Sequence, residues 1–227
     1  MKPRWSIVMP VLDEASTLRG VLDALAPLRA RGVELIVVDG HSGDGTSDVA
    51  AGAADLVLTG PRGRASQMNL GAARASGDVL VFLHADTRLP GQALPAIDEA
   101  LRCGKPWGRF DVEIAGAAWT FKLIAALMNW RSRWSGIATG DQAIFVKRSA
   151  FDAVGGFPEQ PLMEDIELSR RLRRRFGRPA CLKARVVTSG RRWERDGIWP
   201  TILLMWRLRL LYRLGVAPER LARSYSR

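Results

Sequence analysis

The chain has 227 residues, of which 47% are hydrophobic, enough apolar material for one large α/β domain or two small ones. Its 34 lysines and arginines exceed its 23 aspartates and glutamates, and the formal charge of +11 favours polyanionic partners such as nucleic acid, an anionic membrane surface or nucleotide phosphates. The sequence has no uninterrupted apolar run of about 18 residues, which excludes a predicted membrane-spanning helix, and the short apolar run before Pro10 predicts no signal peptide.

Apolar strands alternate with helices in the first half of the chain. The predicted strands cover residues 5–9, 35–38, 56–58 and 79–83. Ser16 is the predicted N-cap of the first intervening helix. Because a strand, a helix and a second parallel strand form a right-handed crossover unit, the repeated pattern predicts a mainly parallel sheet flanked by helices.

The second half is less regular. Helices are predicted near residue 91, at a short segment capped by Ser149, and at residues 117–134, 164–176 and 198–214; strands are predicted at residues 107–114, 143–146 and 182–188. The helix at 117–134 places Trp119, Leu123, Leu127 and Trp130 on one side. The helix at 198–214 is apolar on most sides, so core packing, pairing with a second subunit and contact with a membrane interface are its alternatives.

Acidic residues follow three of the predicted parallel strands: Asp13 and Glu14, then Asp39, then Asp86. Since the carboxyl ends of parallel strands share one edge of the sheet, these side chains are expected to converge there. A carboxylate at Asp86 can hold a divalent metal, and that metal can hold a diphosphate. The alternative, that Asp86 only caps the following helix, is less favoured because acids recur at three strand ends.

A further acid, Asp165, begins the predicted helix at 164–176. It shares a helix face with Leu168 and Leu172, so it is expected to point inward at a helix N-terminus, where the helix dipole favours an ionised carboxylate. Such a group can act as a general base. The alternative is a first-turn acid with no catalytic role.

In this order, the motifs resemble those of glycosyltransferase family 2, whose members use nucleotide-diphosphosugars and have the GT-A fold. Residues 10–14 resemble the Pro-x-x-Asn-Glu opening of the family, and residues 38–46 resemble its Val-Asp-Asp-Gly-Ser-x-Asp-Gly-Thr loop, which receives the donor base. Residues 84–86 stand at the Asp-x-Asp motif, and residues 164–165 resemble the Glu-Asp motif that contains the base. The resemblance covers roughly residues 6–193.

The resemblance implies an inverting, metal-dependent transfer of a sugar from a nucleotide-diphosphosugar, a UDP-sugar rather than a GDP-sugar, to a hydroxyl acceptor. It implies Asp165 as the catalytic base, and Mg²⁺ or Mn²⁺ held by Asp86. Asp39 and Arg64 are expected to hold the donor base, and the two neighbouring arginines 191 and 192 either neutralise the diphosphate or form a solvated basic face. The residues expected to bind donor or cofactor are Pro10, Leu12, Glu14, Asp39, Arg64, Asp86, Arg191 and Arg192.

Three positions depart from the family pattern. Asp13 replaces an asparagine, Gly40 replaces the second acid of the base loop, and His84 replaces the first acid of Asp-x-Asp. The last change leaves one carboxylate, which predicts either weaker metal binding or a contact between His84 and the donor ribose. Ser189 stands where processive synthases have the Gln of Gln-x-x-Arg-Trp, so a single transfer is expected.

The compact length, residues 84–87 and residues 188–193 resemble a small bacterial subgroup linked to arsenosugar biosynthesis. We expect one glycosyltransferase domain over residues 1–227, with a nucleotide-binding half at 1–104, an acceptor and catalytic half at 105–196, and a C-terminal helical extension at 197–227.

The expected partners are a nucleotide sugar and a small-molecule or lipid-linked hydroxyl acceptor, with a homodimer and peripheral membrane contact through the C-terminal helix as further options. The expected location is the cytoplasm, including the inner face of the membrane. Alternative functions are a membrane-surface polyprenyl-phosphate glycosyltransferase and a nucleotidyltransferase acting on a sugar phosphate, although residues 10–14 lack the glycine-rich, lysine-containing loop of the latter. No nucleic-acid partner is expected, because the basic run at 170–178 contains only one aromatic residue, Phe176.

Overall fold

The computed structural model describes residues 4–116 and 118–225, and eight strands in it form one sheet. The strands are β1 (Trp5–Val11), β2 (Glu34–Asp39), β3 (Leu56–Thr59), β4 (Val79–Phe82), β5 (Thr87–Arg88), β6 (Trp107–Ile114), β7 (Ile144–Lys147) and β8 (Ala180–Thr188). Their spatial order is β3-β2-β1-β4-β7-β6-β8-β5. Pairing is parallel from β3 to β4 and between β6 and β8, whereas β7 and β5 run antiparallel to their neighbours. The predicted mainly parallel sheet is confirmed.

Helices cover both faces and one end of this sheet. They are α1 (Ala15–Arg29), α2 (Thr46–Ala51), α3 (Arg64–Arg74), α4 (Ala93–Arg102), α5 (Trp119–Ser135), α6 (Arg148–Ala153), α7 (Glu164–Phe176), α8 (Arg191–Asp196), α9 (Ile198–Arg213) and α10 (Pro218–Tyr225). The predicted caps Ser16 and Ser149 are wrong, because α1 begins at Ala15 and α6 at Arg148. In α1 the carbonyl of Glu14 accepts the first helical N–H groups instead.

Two apolar layers sandwich the sheet. Successive residues of a strand point to opposite faces, so Ile7 and Met9 pack with α1, α4 and α5 while Val8 packs with α3, α6 and α7. This burial on both faces explains the continuous apolar runs of the central strands. A third cluster packs Leu208 of α9 and Leu221 of α10 against Leu162, Met163 and Ile166 at the start of α7, which places both C-terminal helices beside that helix.

Polar contacts dock α5 against β6. The side-chain amide of Asn129 donates to the Val112 carbonyl at 2.9 Å and accepts from the Val112 N–H at 2.8 Å. Asp111 pairs with the fully buried Arg109 and with Arg133. These contacts fix which face of α5 is turned toward the sheet.

The apolar side predicted for the helix at 117–134 lies away from the core. Trp119, on that predicted side, is 74% exposed. Ala117, the first residue of the predicted helix, lies outside the described residues. The buried residues of α5 are instead those on the neighbouring face, including Phe121 and Ile124. The exposed large apolar residues on α5, on α9 and at the end of α9 are Trp119, Leu123, Leu127, Trp130, Trp134, Trp199, Leu203, Trp206, Leu210 and Leu214. We call this set the apolar stripe; it contains five of the eight tryptophans.

Among the helices of residues 4–116 and 118–225, none is both long enough and apolar enough to cross a bilayer.

Candidate active site

A cavity of about 360 Å³ lies at the carboxyl ends of β1 and β4. Its walls come from the segment after β1, the start of α3 and the segment after β4, which the parallel pairing of β1 and β4 brings to one edge of the sheet. Five residues that the family resemblance assigns to donor binding line this cavity: Pro10, Leu12, Glu14, Arg64 and Asp86. We call it the donor cavity after that expected role.

A second cavity of about 450 Å³ adjoins the first. It is bounded by the segment after β4, the 3-10 turn Gly140–Gln142, the start of α7, and helices α5 and α9. Both Asp86 and Asp165 line it. The residues common to the two cavities are Arg64, His84, Asp86, Leu162 and Tyr225.

Two backbone N–H groups orient the Asp165 carboxylate. Gly140 donates to Oδ2 at 2.9 Å, and Ile166 donates to Oδ1 at 2.7 Å. On the same helix, Leu168 and Leu172 are fully buried, so α7 is anchored below the carboxylate. The sequence places Asp165 at a helix start, but the contact with Gly140, twenty-five residues earlier, required the fold.

His84 packs against the backbone of Gly140. A Cβ atom at position 140 would lie 2.2 Å from His84 Cε1, so only glycine fits there. His84 Nδ1 is 3.8 Å from Asp141 Oδ1. Burial, and then the positive charge of Arg64, lower the pKa of His84, while the nearby carboxylates oppose that change. The imidazole is therefore neutral near pH 7 and lies between the two cavities.

Glu164, the neighbour of Asp165, is only 5% exposed. Burial and the negative charge of Asp165 raise its pKa to about 7, against the opposing positive charge of Arg64. Glu164 thus carries a proton in about half of the molecules near neutral pH. The Glu-Asp motif points to this residue, but its burial follows only from the packing around α7.

Asp86 alone supplies the carboxylate at the predicted metal position. Thr87 Oγ1 donates to Asp86 Oδ1 at 3.1 Å. Within residues 4–116 and 118–225, no three His, Cys, Asp or Glu side chains come together as a metal-binding group. Mg²⁺ is commonly held by one or two carboxylates together with substrate phosphates and water, so Asp86 fits an ion that binds with the donor diphosphate, not one enclosed by protein ligands.

Asp39 is 3% exposed and does not line the donor cavity. Its carboxylate accepts hydrogen bonds from the Ser47 hydroxyl at 2.7 Å and from the Ser42 N–H at 3.1 Å. In this structure both serines hold the loop that the family resemblance assigns to the base. The role of Asp39 in base binding stays a prediction.

The two arginines expected at the diphosphate are placed differently. Arg191 is half-exposed, and its Nη2 is 3.2 Å from Glu14 Oε2 at the rim of the donor cavity. Arg192 lines the larger cavity, where its guanidinium carbon lies 4.0 Å from the centre of the Tyr225 ring.

Sequence reasoning missed Arg131 of α5 and assigned no role to Arg209 of α9, although both line the larger cavity. Burial, followed by the positive charge of Arg209, lowers the pKa of Arg131 to about 9. The available signal is an arginine within a largely apolar helix, a pattern that the helix at 198–214 shares.

The sequence profile of glycosyl transferase family 2 matches residues 6–155, about two thirds of the chain. The chain belongs to glycosyltransferase family 2. Among its relatives in this family, the probable glycosyltransferase YdaM of Bacillus subtilis is 28% identical in an alignment of 196 residues that covers 75% of this chain and 46% of that protein. An undecaprenyl-phosphate 4-deoxy-4-formamido-L-arabinose transferase of Yersinia pestis is 29% identical over 103 residues, covering 40% and 32%. The chain thus spans less than half the length of both relatives.

The fold of this family 2 member is shared with solved glycosyltransferases. The mannosyltransferase PcManGT of Pyrobaculum calidifontis, in complex with GDP-Man and Mn²⁺, superposes with a TM-score of 0.63 at 20% identity, over 82% of this chain and 57% of that one. This likeness and the observed sheet confirm the predicted GT-A fold. The arsenosugar subgroup and the three-part division of the chain stay predictions.

Proposed function

We propose that this protein is an inverting glycosyltransferase that moves a sugar from a nucleotide-diphosphosugar to an acceptor hydroxyl. The observation that carries the proposal is that Asp86 and Asp165, from separate elements, line one cavity next to the donor cavity. Two carboxylates at one cavity can serve separate roles, one toward a cation and diphosphate and the other toward the acceptor.

In this proposal the donor nucleotide occupies the donor cavity, with Arg64 and the loop of Asp39 near its base. Asp86 would hold Mg²⁺ or Mn²⁺ together with the diphosphate, and the bound ion supplies charge neutralisation for the leaving nucleotide. The GDP-Man and Mn²⁺ bound to PcManGT support a nucleotide sugar with a divalent ion. We keep a UDP-sugar as the expected donor and Arg191 and Arg192 as the expected diphosphate contacts.

Asp165 accepts the proton of the acceptor hydroxyl. As that proton leaves, the hydroxyl oxygen forms a bond to the anomeric carbon, and the bond from this carbon to the donor phosphate oxygen breaks. The electron pair departs with the nucleoside diphosphate. One displacement from the opposite side inverts the configuration at the anomeric carbon.

Replacement of Asp165 tests the proposed base. Asp165→Asn should reduce transfer by about 10²–10⁴-fold, because general-base catalysis contributes about that factor, while nucleotide binding persists. The measurements are release of nucleoside diphosphate from UDP- and GDP-sugars with Mn²⁺ and a lipid extract as acceptor source, and calorimetric binding of UDP and GDP.

Glu167→Gln is the matched control, since Glu167 lies on the same helix and pairs with Arg170 and Arg171 at 3.6 and 3.5 Å. This control should keep most of its activity. Transfer at the wild-type rate by Asp165→Asn would reject Asp165 as the base.

We further propose that the apolar stripe rests on an anionic membrane surface. Large exposed apolar patches mark interaction sites, and tryptophan is favoured at the boundary between lipid and water. Helices α5 and α9 contain no acid, and their exposed basic residues Lys122, Arg207 and Arg213 suit an anionic lipid surface. A lipid-linked acceptor, as in the name of the Yersinia relative, would then reach the active site from the membrane. The proposed location is the inner face of the cytoplasmic membrane, and a homodimer is the competing use of the stripe.

A further inference from the structure

Arg131 of α5 lines the larger cavity, and two of its guanidinium nitrogens have no hydrogen-bond partner among residues 4–116 and 118–225. These atoms, Nε and Nη2, are also inaccessible to solvent. A buried donor left without a partner costs free energy, and a charged donor costs more. The low pKa of Arg131, about 9, expresses the same cost. This arrangement points to an acceptor group that is supplied from outside the protein.

Arg209 of α9 lines the same cavity and contributes a second, partly buried cation. The positive charge of Arg209 acts on Arg131, and the carboxylates of Asp141 and Asp165 act on both arginines from the catalytic side. Two guanidinium groups that line one cavity repel each other, and an anion bound between them offsets that repulsion. A phosphate group can accept several charge-assisted hydrogen bonds from arginines at once.

The part of this cavity between α5 and α9 is mostly apolar, whereas its acids lie on the side of β4 and α7. Its walls on α5 and α9 are formed by Ile124, Leu127, Met128, Trp130, Ile202, Met205 and Trp206. Leu127, Trp130 and Trp206 are also members of the apolar stripe, with exposures of 53%, 65% and 67%. The cavity therefore runs from these two arginines to the exposed stripe, along walls that suit a hydrocarbon chain.

We propose that Arg131 and Arg209 bind the anionic, phosphate-class group of an amphiphilic acceptor, whose apolar chain lies between α5 and α9 and leaves toward the apolar stripe. This inference rests on the proposed function and names its acceptor class. The donor diphosphate is the other source of such an anion. It is disfavoured because Arg131 and Arg209 line only the larger cavity, whereas Arg64 lines both.

Dodecyl phosphate, below its critical micelle concentration, is the probe. We expect saturable binding with one molecule per chain by calorimetry, and weaker binding of inorganic phosphate and of dodecyl maltoside, which lack the chain and the anion respectively. Arg131→Gln and Arg209→Gln should each weaken dodecyl phosphate binding at least about tenfold, as expected for loss of a charge-assisted hydrogen bond. The matched control is Arg174→Gln, an exposed arginine of α7 away from the cavity, which should bind as the wild type does.

The same variants are titrated with UDP and GDP in the presence of Mn²⁺. Affinity for the nucleotides should change much less than affinity for dodecyl phosphate. Equal losses of affinity for nucleotide and for dodecyl phosphate would assign the arginines to the donor diphosphate and overturn the proposal. Unchanged dodecyl phosphate binding in both variants would also overturn it, as would inorganic phosphate binding as tightly as dodecyl phosphate. Because Arg131 has unpaired donors, Arg131→Gln should unfold no earlier than the wild type, so a lower unfolding temperature would instead assign it a structural role. Failure to bind any nucleotide would count against the proposed function and leave the dodecyl phosphate result interpretable.

Discussion

Two adjacent acids at the start of α7 occupy different surroundings. Asp165 faces the larger cavity, where its orientation is held by Gly140 and Ile166. Glu164 is buried beside it, and its raised pKa means that the pair seldom carries two full negative charges below neutral pH. A protonated Glu164 limits the repulsion that a second carboxylate would otherwise impose on the proposed base.

The pKa of Glu164 predicts how stability depends on pH. The folded-state pKa of about 7 exceeds the ordinary value of 4.5, so the folded protein binds more protons between these values. The stabilisation from Glu164 is therefore present at low pH and is lost as pH rises from about 4.5 through 7. Relative to the wild type, Glu164→Gln should gain on the order of 2 kcal/mol of unfolding free energy between pH 5 and pH 8.

Urea unfolding without metal at the two pH values measures this difference. In the control Arg174→Gln the buried acid is still present, so its unfolding free energy should differ from that of the wild type by the same amount at both pH values. If the difference in unfolding free energy between Glu164→Gln and the wild type were the same at pH 5 and pH 8, the assigned pKa would be wrong.

At the scale of elements, the contact between β6 and α5 decides which side of α5 faces solvent. Arg109 is fully buried in β6, and its charge is balanced by Asp111, which also pairs with Arg133 of α5. Together with the Asn129 contacts to Val112, this ionic contact holds α5 with its tryptophans outward.

Removal of the Asp111 charge should be strongly destabilising. Asp111→Asn leaves the buried guanidinium of Arg109 without its counter-charge, and breaking a buried ion pair in this way costs about 3–5 kcal/mol. Glu113→Gln is the control two residues away on β6; its pair with Arg185, at 3.5 Å, is more than half exposed, so a change within about 1 kcal/mol is expected. Stability is measured as the urea unfolding midpoint of each variant and of the wild type. If Asp111→Asn lost no more stability than Glu113→Gln, the contact would not be what holds α5 in place.

For the whole molecule, the main surface feature is the combination of the apolar stripe with the net charge of +11. The stripe belongs to two helices that also wall the larger cavity. A membrane-bound orientation would therefore turn the mouth of the proposed acceptor site toward lipid.

Vesicle binding tests this orientation. The protein should bind phosphatidylglycerol vesicles, with a blue shift of tryptophan fluorescence, and bind phosphatidylcholine vesicles more weakly. Added salt should weaken binding to the phosphatidylglycerol vesicles, because part of that binding is electrostatic. Leu203→Glu and Leu210→Glu, both on the stripe, should each weaken binding severalfold, whereas Val187→Glu on β8 should not. A wild-type dimer that binds no vesicles and becomes monomeric in Leu203→Glu would assign the stripe to subunit contact instead.

Much of the fold was predictable because its signals are local. Strands buried on both faces leave continuous apolar runs, and β1, β2 and β4 lie within two residues of their predicted bounds. The two-residue strand β5 and helices α8 and α10 were not predicted, since their short or mixed patterns depend on the partners they pack against. The acids at strand ends were predictable for the same local reason, through the shared edge of a parallel sheet.

The amino-acid sequence by itself determined the family, the order of the strands along the chain and the acids that follow them. Only the tertiary structure decided that Asp86 and Asp165 line one cavity while Asp39 is buried away from both, and that Arg131 and Arg209 line the same cavity. Periodicity reports which residues share a helix face, but the side of that helix that is buried depends on contacts made by residues distant in sequence. In α5 those contacts belong to Asp111 and Asn129, and they leave the most apolar side of the helix exposed.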